Sequence, residues 1–388
     1  MVLRGFGTTI FAEMSALATA TGSVNLGQGF PDTDGPAAML DRAVEGLRNG
    51  ENQYPPGPGM PLLRDAVARH RLDRYGLAYD PDHEILVTVG ATEAIAASIL
   101  GLCDPGDEVV LFEPYYDSYA ATVELAGARR VAVTLRPDST GRFGFDAEEL
   151  RAAITPRTKV LLLNSPHNPT GTVLTPDELA VIAELCVQHD LTVVSDEVYE
   201  HLTYDGAVHH SIAELPGMRE RCVAISSAGK SFSVTGWKIG WACAPAALIR
   251  QINTVKQFLT YTHNPAMQQA VAYALDNELA WVEQLRDSLA GARDRLAAGL
   301  EQVGMRVTRP QGTYFIQADI RPLGATDGAT FARELPHAAG VVGIPTSVFC
   351  DSAAGDPFVR FAFCKRPEVI DEAVQRLVRF AATVAPSS

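Results

Sequence analysis

The sequence predicts an α/β fold: a large domain on a mostly parallel seven-stranded sheet, followed by a smaller α+β domain. Three observations predict it. Seven short β-rich runs alternate with helical patterns between residues 85 and 245. One long helical pattern then runs from Leu279 to Val303. After it come two more β-rich runs and a last helical stretch.

The seven runs are Ile85–Val89, Glu108–Phe112, Arg130–Leu135, Lys159–Leu163, Thr192–Ser195, Cys222–Ser226 and Ile239–Ala244. Strands separated by helices read as a parallel sheet covered on both faces. Among the connecting stretches, Pro176–His189 opens on Thr175 with Glu178 three residues on, a capping-box pattern. In the long stretch, Leu285, Leu289, Leu296, Leu300 and Val303 recur at helical spacing. Tyr314–Ala318 and Phe358–Phe363 read as strands and Glu368–Ala381 as a helix, which makes the last part α+β. The first forty or so residues carry few periodic signals. They are expected to wrap onto one domain or a partner subunit. The expected division is an arm with part of the small domain over 1–45, the large domain over 46–285 and the small domain over 286–388.

Composition narrows the function classes. A chain of 388 residues can bury a large core. Its formal charge of −14 argues against nucleic acid as a partner. The six cysteines are scattered, with no C-x-x-C pair, which fits free thiols in a reducing compartment and no metal site. Met1–Met14 has no apolar core of a signal peptide. The longest apolar run, Ala94–Cys103, is about half of what a membrane span needs. A cytoplasmic protein without a membrane partner is expected. Only five lysines occur, against many arginines, so a lysine among small residues stands out.

Four segments each follow a predicted strand, and ligands of open α/β sheets bind beyond the carboxyl ends of strands. Gly90-Ala91-Thr92 opens a helix, where small residues let backbone N–H groups approach an anion; an ordinary strand-to-helix turn is the alternative. Asn164-Ser165-Pro166-His167-Asn168-Pro169-Thr170-Gly171 is a rigid loop that positions Asn168, or else only a tight turn. Ser195-Asp196-Glu197-Val198-Tyr199 ends a strand on an acid, either a helix cap or a functional carboxylate. Ser226-Ser227-Ala228-Gly229-Lys230-Ser231 sets a lysine among small residues, ahead of Gly236-Trp237-Lys238-Ile239-Gly240. Desolvation there would lower the lysine pKa and make it a nucleophile.

In this order, with Arg360 near the C-terminus, the segments resemble the aminotransferase class I/II family, the fold-type I enzymes dependent on pyridoxal 5′-phosphate (PLP). The resemblance covers nearly the whole chain. Asn25–Asp32, Asn52–Tyr54 and Ser227–Lys230 are similar to the kynurenine aminotransferase, glutamine transaminase K and methionine aminotransferase subgroup. Phe11–Thr19, Gln53–Gly59, Val87–Ala97 and Gly236–Cys243 resemble actinobacterial N-succinyldiaminopimelate aminotransferases.

The resemblance implies roles residue by residue. Lys230 matches the lysine that carries the cofactor, Asp196 the acid at its ring nitrogen, and Tyr199 and Asn168 the groups at its ring hydroxyl. Tyr116 matches the aromatic stacked on the ring. Ala91, Thr92, Ser227 and Lys238 match phosphate contacts, and Tyr54 one that reaches over from a second subunit. Arg360 matches the arginine that grips the substrate carboxylate, with Gly29 and Asn168 completing that site. Phe11, His263 and Phe349 fall near specificity positions, and Tyr54 and Tyr261 are further candidates for the side-chain pocket.

Two departures are visible: Lys238 stands where many members have Arg, and Glu93 follows Thr92 close to the expected phosphate. The implied reaction is ping-pong transfer of an amino group from an L-amino acid to a 2-oxo acid in a homodimer with shared active sites. Met, Gln, aromatic or kynurenine-like and N-succinyl-L,L-diaminopimelate donors come into question. A PLP-dependent cysteine-S-conjugate β-lyase is the alternative. A nicotinamide oxidoreductase is excluded because no G-x-G-x-x-G follows the first strand.

Overall fold

A computed structural model describes residue 3 and residues 7–384. Seven strands form the main sheet: β1 Ile85–Val89, β2 Glu108–Glu113, β3 Arg129–Thr134, β4 Thr158–Asn164, β5 Thr192–Asp196, β6 Cys222–Ser227 and β7 Ile239–Cys243. Their spatial order is β1-β7-β6-β5-β4-β2-β3. Strand β7 runs antiparallel to both neighbours, and the other pairs are parallel. Strands β1 to β6 therefore all end on one edge, and β7 begins there. That reversal brings Lys238, the residue before β7, beside the ends of the other strands.

The alternation of side chains along each strand fills two cores. Val110, Leu161 and Val193 point into one apolar cluster, and Leu111, Leu162 and Val194 into another. Each such side chain, withdrawn from water, stabilises the fold by about 1.5–3 kcal/mol. Strands β4, β5 and β6 each run one residue further than predicted, to Asn164, Asp196 and Ser227. Polar end residues broke the apolar pattern, yet Asn164 and Asp196 still pair in register.

A second, antiparallel sheet contains β8 Arg306–Val307, β9 Phe315–Asp319, β10 Ile344–Pro345 and β11 Phe358–Ala362 in the order β8-β9-β11-β10. It shares a third core with the helices Leu279–Gln302 and Pro367–Val384, where Leu289, Leu296, Leu300 and Leu377 are buried. The helix Pro176–Gln188 is capped as predicted, with Thr175 Oγ1 accepting from the Glu178 N–H and the Glu178 carboxylate accepting from the Thr175 N–H.

The N-terminal residues hold two helices that periodicity did not announce, Ile10–Thr21 and Ala37–Arg48. The first is rich in Ala, Ser and Thr and fully buries only Met14 and Ala18, so it shows no apolar stripe. Thr9 caps its start and Gly22, at φ +61°, closes its end. Val24–Asn25 then pairs with Val341–Val342, and the Leu26 carbonyl accepts from the Ala362 N–H. This stitches the arm to the second sheet. Among the described residues, no helix is long and apolar enough to cross a membrane.

Candidate active site

A cavity of about 310 Å³ opens at the edge where β1 to β6 end. Of the residues singled out above, Phe11, Gly29, Ala91, Thr92, Tyr116 and Asn168 line it, as do Asp196, Tyr199, Ser227, Lys230, Lys238 and Arg360.

One wall is an anion cradle. The helix Gly90–Leu102 starts at the end of β1, and no side chain caps its first turn. Gly90 has φ +69°, a left-handed turn that favours glycine. A Cβ on Gly240 would lie 2.5 Å from the Gly90 carbonyl carbon and 2.7 Å from the Ala91 nitrogen. Only glycine lets β7 come so close to the helix start. Lys238, itself left-handed at φ 56°, extends Nζ to 3.5 Å from Thr92 Oγ1. Ser227 sits opposite Gly240 in the β6–β7 register. Free N–H groups, the positive end of the helix, two hydroxyls and an ammonium suit a phosphate. Glu93 does not intrude. Its carboxylate turns back to accept from the Val89 N–H at 2.7 Å and from Thr260 Oγ1.

The middle of the cavity pairs an acid with an amine. Asp196 ends β5 and is buried; Tyr119 donates to its Oδ2 at 2.6 Å and the Val198 N–H to its Oδ1 at 3.3 Å. Burial pushes its carboxyl up to about 6, against those two hydrogen bonds. Lys230 lies in the single helical turn Ala228–Ser231 that follows β6. Its Nζ donates to Tyr314 Oη at 3.0 Å and lies 5.7 Å and 5.6 Å from the ring centres of Tyr199 and Tyr314. Burial brings its ammonium down to about 8, while Cys364 and Asp196 favour the charged form and Lys238 and Arg360 oppose it. Tyr116 lines the cavity and meets Tyr119 edge to face at 5.8 Å.

The third wall comes from the second sheet. Arg360, in the middle of β11, is 1% exposed. Its Nη1 donates to Asn168 Oδ1 and its Nη2 to the Gly27 carbonyl, both at 3.0 Å. Its Nε is buried without a partner among the described residues. Its guanidinium carbon is 4.0 Å from the Phe315 ring centre, 5.1 Å from Phe349 and 5.3 Å from Phe11. Burial lowers it to about 10. A buried cation with neutral partners and a spare N–H is chemically suited to an anion such as a carboxylate. Asn168 is held for this contact through its own N–H, which donates to Asn164 Oδ1 at 2.7 Å, while Asn164 Nδ2 donates to the Asp196 carbonyl at 2.9 Å.

Tyr54 and His263 are not brought into this chain's cavity. Tyr54 is 85% exposed and meets Tyr261 edge to face at 5.7 Å. His263 donates from Nε2 to the Trp237 carbonyl at 2.7 Å. Phe349 is buried behind Phe11, ring centres 6.0 Å apart. Sequence reasoning missed Tyr119, Asn164 and Tyr314. Asn164 stood inside a quoted motif and Tyr314 at the head of a predicted strand, but nothing local marks the first as facing the cavity or the second as meeting Lys230.

Behind the sheet end, His70, Glu200 and His201 bring ligand-type atoms within 4.8 Å of one another. These atoms are already engaged: the two Nε2 atoms meet at 2.9 Å, and Tyr75 and Ser226 donate to Glu200.

Comparison with known proteins agrees with this geometry. The family described as aminotransferase class I and II matches residues 21–377. A probable N-succinyldiaminopimelate aminotransferase of Mycobacterium tuberculosis is 56% identical over 384 residues, covering 97% of this chain and 96% of the relative. The methionine aminotransferase of Escherichia coli is 39% identical, with 97% and 96% covered. The solved structure of the N-succinyldiaminopimelate aminotransferase from M. tuberculosis superposes with a TM-score of 0.96, covering 98% of this chain and 99% of that one. The chain belongs to the class I and II aminotransferases, enzymes that work with pyridoxal 5′-phosphate.

Proposed function

We propose that this chain moves an amino group from an L-amino acid to a 2-oxo acid by a ping-pong cycle on PLP held at Lys230. The observation that carries the reading is one cavity in which Lys230 and Asp196 meet a phosphate-type cradle and a buried Arg360 with neutral partners. The lining charges fit the group: three cations, Lys230, Lys238 and Arg360, outnumber Asp196 and suit a phosphate and a carboxylate together. The Gly90–Thr92 turn, Ser227 and Lys238 would hold the phosphate. Tyr116 would cover the ring, Tyr199 and Asn168 would bond its hydroxyl, and Asp196 would pair with its nitrogen. Bound there, PLP supplies an electron sink for the pair left at Cα when a proton departs.

The remaining work falls to the protein. Arg360 grips the α-carboxylate with two parallel N–H groups and so orients the Cα–H bond. Lys230, once its amine is free, would take that proton as general base and return it as general acid to the cofactor's C4′ carbon, across the amino nitrogen. An amine brought down to about 8 is deprotonated in roughly a tenth of molecules at pH 7, whereas an exposed lysine would be almost wholly charged. Asp196, buried and ionised above about pH 6, favours a proton on the ring nitrogen.

For the donor, similarity to the M. tuberculosis relative over nearly the full chain supports N-succinyl-L,L-diaminopimelate. A second reading, Met, Gln or an aromatic or kynurenine-like donor, is favoured by the lining itself. Phe11 and Phe30 face the cavity, and no cation beyond the three named lines it among the described residues. A panel of these donors and 2-oxo acceptors, followed by conversion of bound PLP to its amine form, separates the two. Conversion by none overturns the transferase reading, and pyruvate release without an acceptor favours the β-lyase.

The exposed Tyr54, Phe258 and Tyr261 support a homodimer in which Tyr54 completes the second subunit's site. Full activity of a monomer in the ultracentrifuge would overturn that. Six free cysteines support a reducing, cytoplasmic location.

A further inference from the structure

Lys230 must have somewhere to rest whenever its amine is free. Among the described residues Nζ has one hydrogen-bond partner, and it is the residue just before β9. Tyr314 Oη accepts from Nζ at 3.0 Å and donates its own proton to the Gly29 carbonyl at 2.6 Å. With that proton on the Gly29 carbonyl, the oxygen lone pairs are left for the lysine and the neighbouring Tyr199 hydroxyl. The ring cannot swing away. Tyr314 is 0% exposed and wedged edge to face between Tyr199 at 5.2 Å and Phe315 at 4.9 Å. Gly29 is equally fixed, because a Cβ there would lie 2.4 Å from the Phe315 ring.

We infer that Tyr314 is a positioning residue for the reaction: its oxygen parks the free lysine amine between the Tyr199 and Tyr314 rings, and ties that amine to the N-terminal arm through Gly29. The inference rests on the reading of Lys230 as the cofactor lysine.

Two consequences follow. An acceptor that receives an N–H stabilises the ammonium more than the neutral amine. Taking it away by Tyr314→Phe leaves the ring contacts but lowers the lysine pKa. The charged groups around Lys230 stay in place: Asp196 and Cys364 favour its charge and Lys238 and Arg360 oppose it; Tyr199 keeps its ring beside the amine while its hydroxyl loses the Tyr314 oxygen. A hydrogen bond to a charged group corresponds to a downward shift of about one pH unit. The amine also loses its resting place, so proton movement at Cα slows even though the lysine is more often neutral.

The test uses cofactor-free full-length protein and its Tyr314→Phe variant. The first measurement is the rate of covalent PLP capture against pH, read by absorbance, since capture needs the neutral amine. The expected result is an inflection about one unit lower in the variant, with capture at pH 7 several-fold faster. The second is the single-turnover conversion of bound cofactor by saturating amino acid, expected to be about tenfold slower or more in the variant. A melting temperature within a few degrees of the parent excludes general damage. An inflection that stays in place or rises, or a half-reaction within twofold of the parent, overturns the role given to Tyr314. If the parent protein itself captures no PLP, the failure lies with Lys230 as cofactor lysine and not with Tyr314.

Discussion

Replacing Arg360 by Ala tests the substrate end of the site. The side chain offers two terminal N–H groups in a fork, with neutral protein partners that exert no charge of their own. A charge-assisted hydrogen bond contributes about 1.5–3 kcal/mol net. Two of them, less the contacts to Asn168 and Gly27 that the guanidinium already makes, leave a loss of about 3 kcal/mol, or roughly 150-fold in affinity. The loss should fall on the amino acid. Cofactor affinity should stay within about threefold, because the cradle of Gly90, Thr92, Ser227 and Lys238 lies on a different wall. Stability should change little, since a buried cation with no ion-paired acid among the described residues, only the more distant charge of Asp117, is costly to keep and its removal offsets the emptied volume. Arg360→Lys, with a point charge in place of a fork, should recover only part, leaving a loss of roughly tenfold. Single-turnover conversion of bound cofactor at graded amino acid concentration separates binding from chemistry. Saturation at the parent's concentration in Arg360→Ala, or equal weakening of cofactor and amino acid, would refute this reasoning.

Three further outcomes are expected. Lys230→Ala should bind PLP without a covalent link and lose transamination by at least about a thousandfold; parent-like turnover would remove the assignment. Asp196 has its pKa raised to about 6, so it is protonated below that value in the cofactor-free protein and must release the proton to pair with a protonated ring. PLP affinity should therefore fall by about tenfold per pH unit as pH drops below about 6, and Asp196→Asn should flatten that slope in an equilibrium titration. Gly240→Ala would push a methyl into the Gly90–Ala91 peptide; cofactor affinity, measured by titration of the cofactor-free protein, should drop tenfold or more, and an unchanged affinity would contradict the close approach.

The main sheet was legible because its strands are buried on both faces and punctuated by helix starts such as Thr175. Their last residues were less so, since Asn164, Asp196 and Ser227 are polar for the sake of the cavity and not for the core. The helix Ile10–Thr21 escaped notice because it buries little and its packing partners come from the far end of the chain. Most of the cavity residues that sequence order announced lie in strand-end motifs; Phe11 and Gly29 come from the N-terminal residues and Arg360 from the middle of β11. Tyr119 and Tyr314 act only through atoms distant in sequence, Asp196 and Lys230, and no local pattern carries that information. Tyr54 and His263 lie outside the cavity of this chain, Tyr54 exposed and His263 bonded to the Trp237 carbonyl, and no local pattern in the sequence marks that placement.

The most direct test of the covalent centre is borohydride reduction of the PLP-treated full-length protein, followed by peptide mapping. A phosphopyridoxyl group on Lys230 alone, absent from Lys230→Ala, is the expected result. A modified Lys238 or another lysine, or no modification in protein that binds PLP, would contradict it.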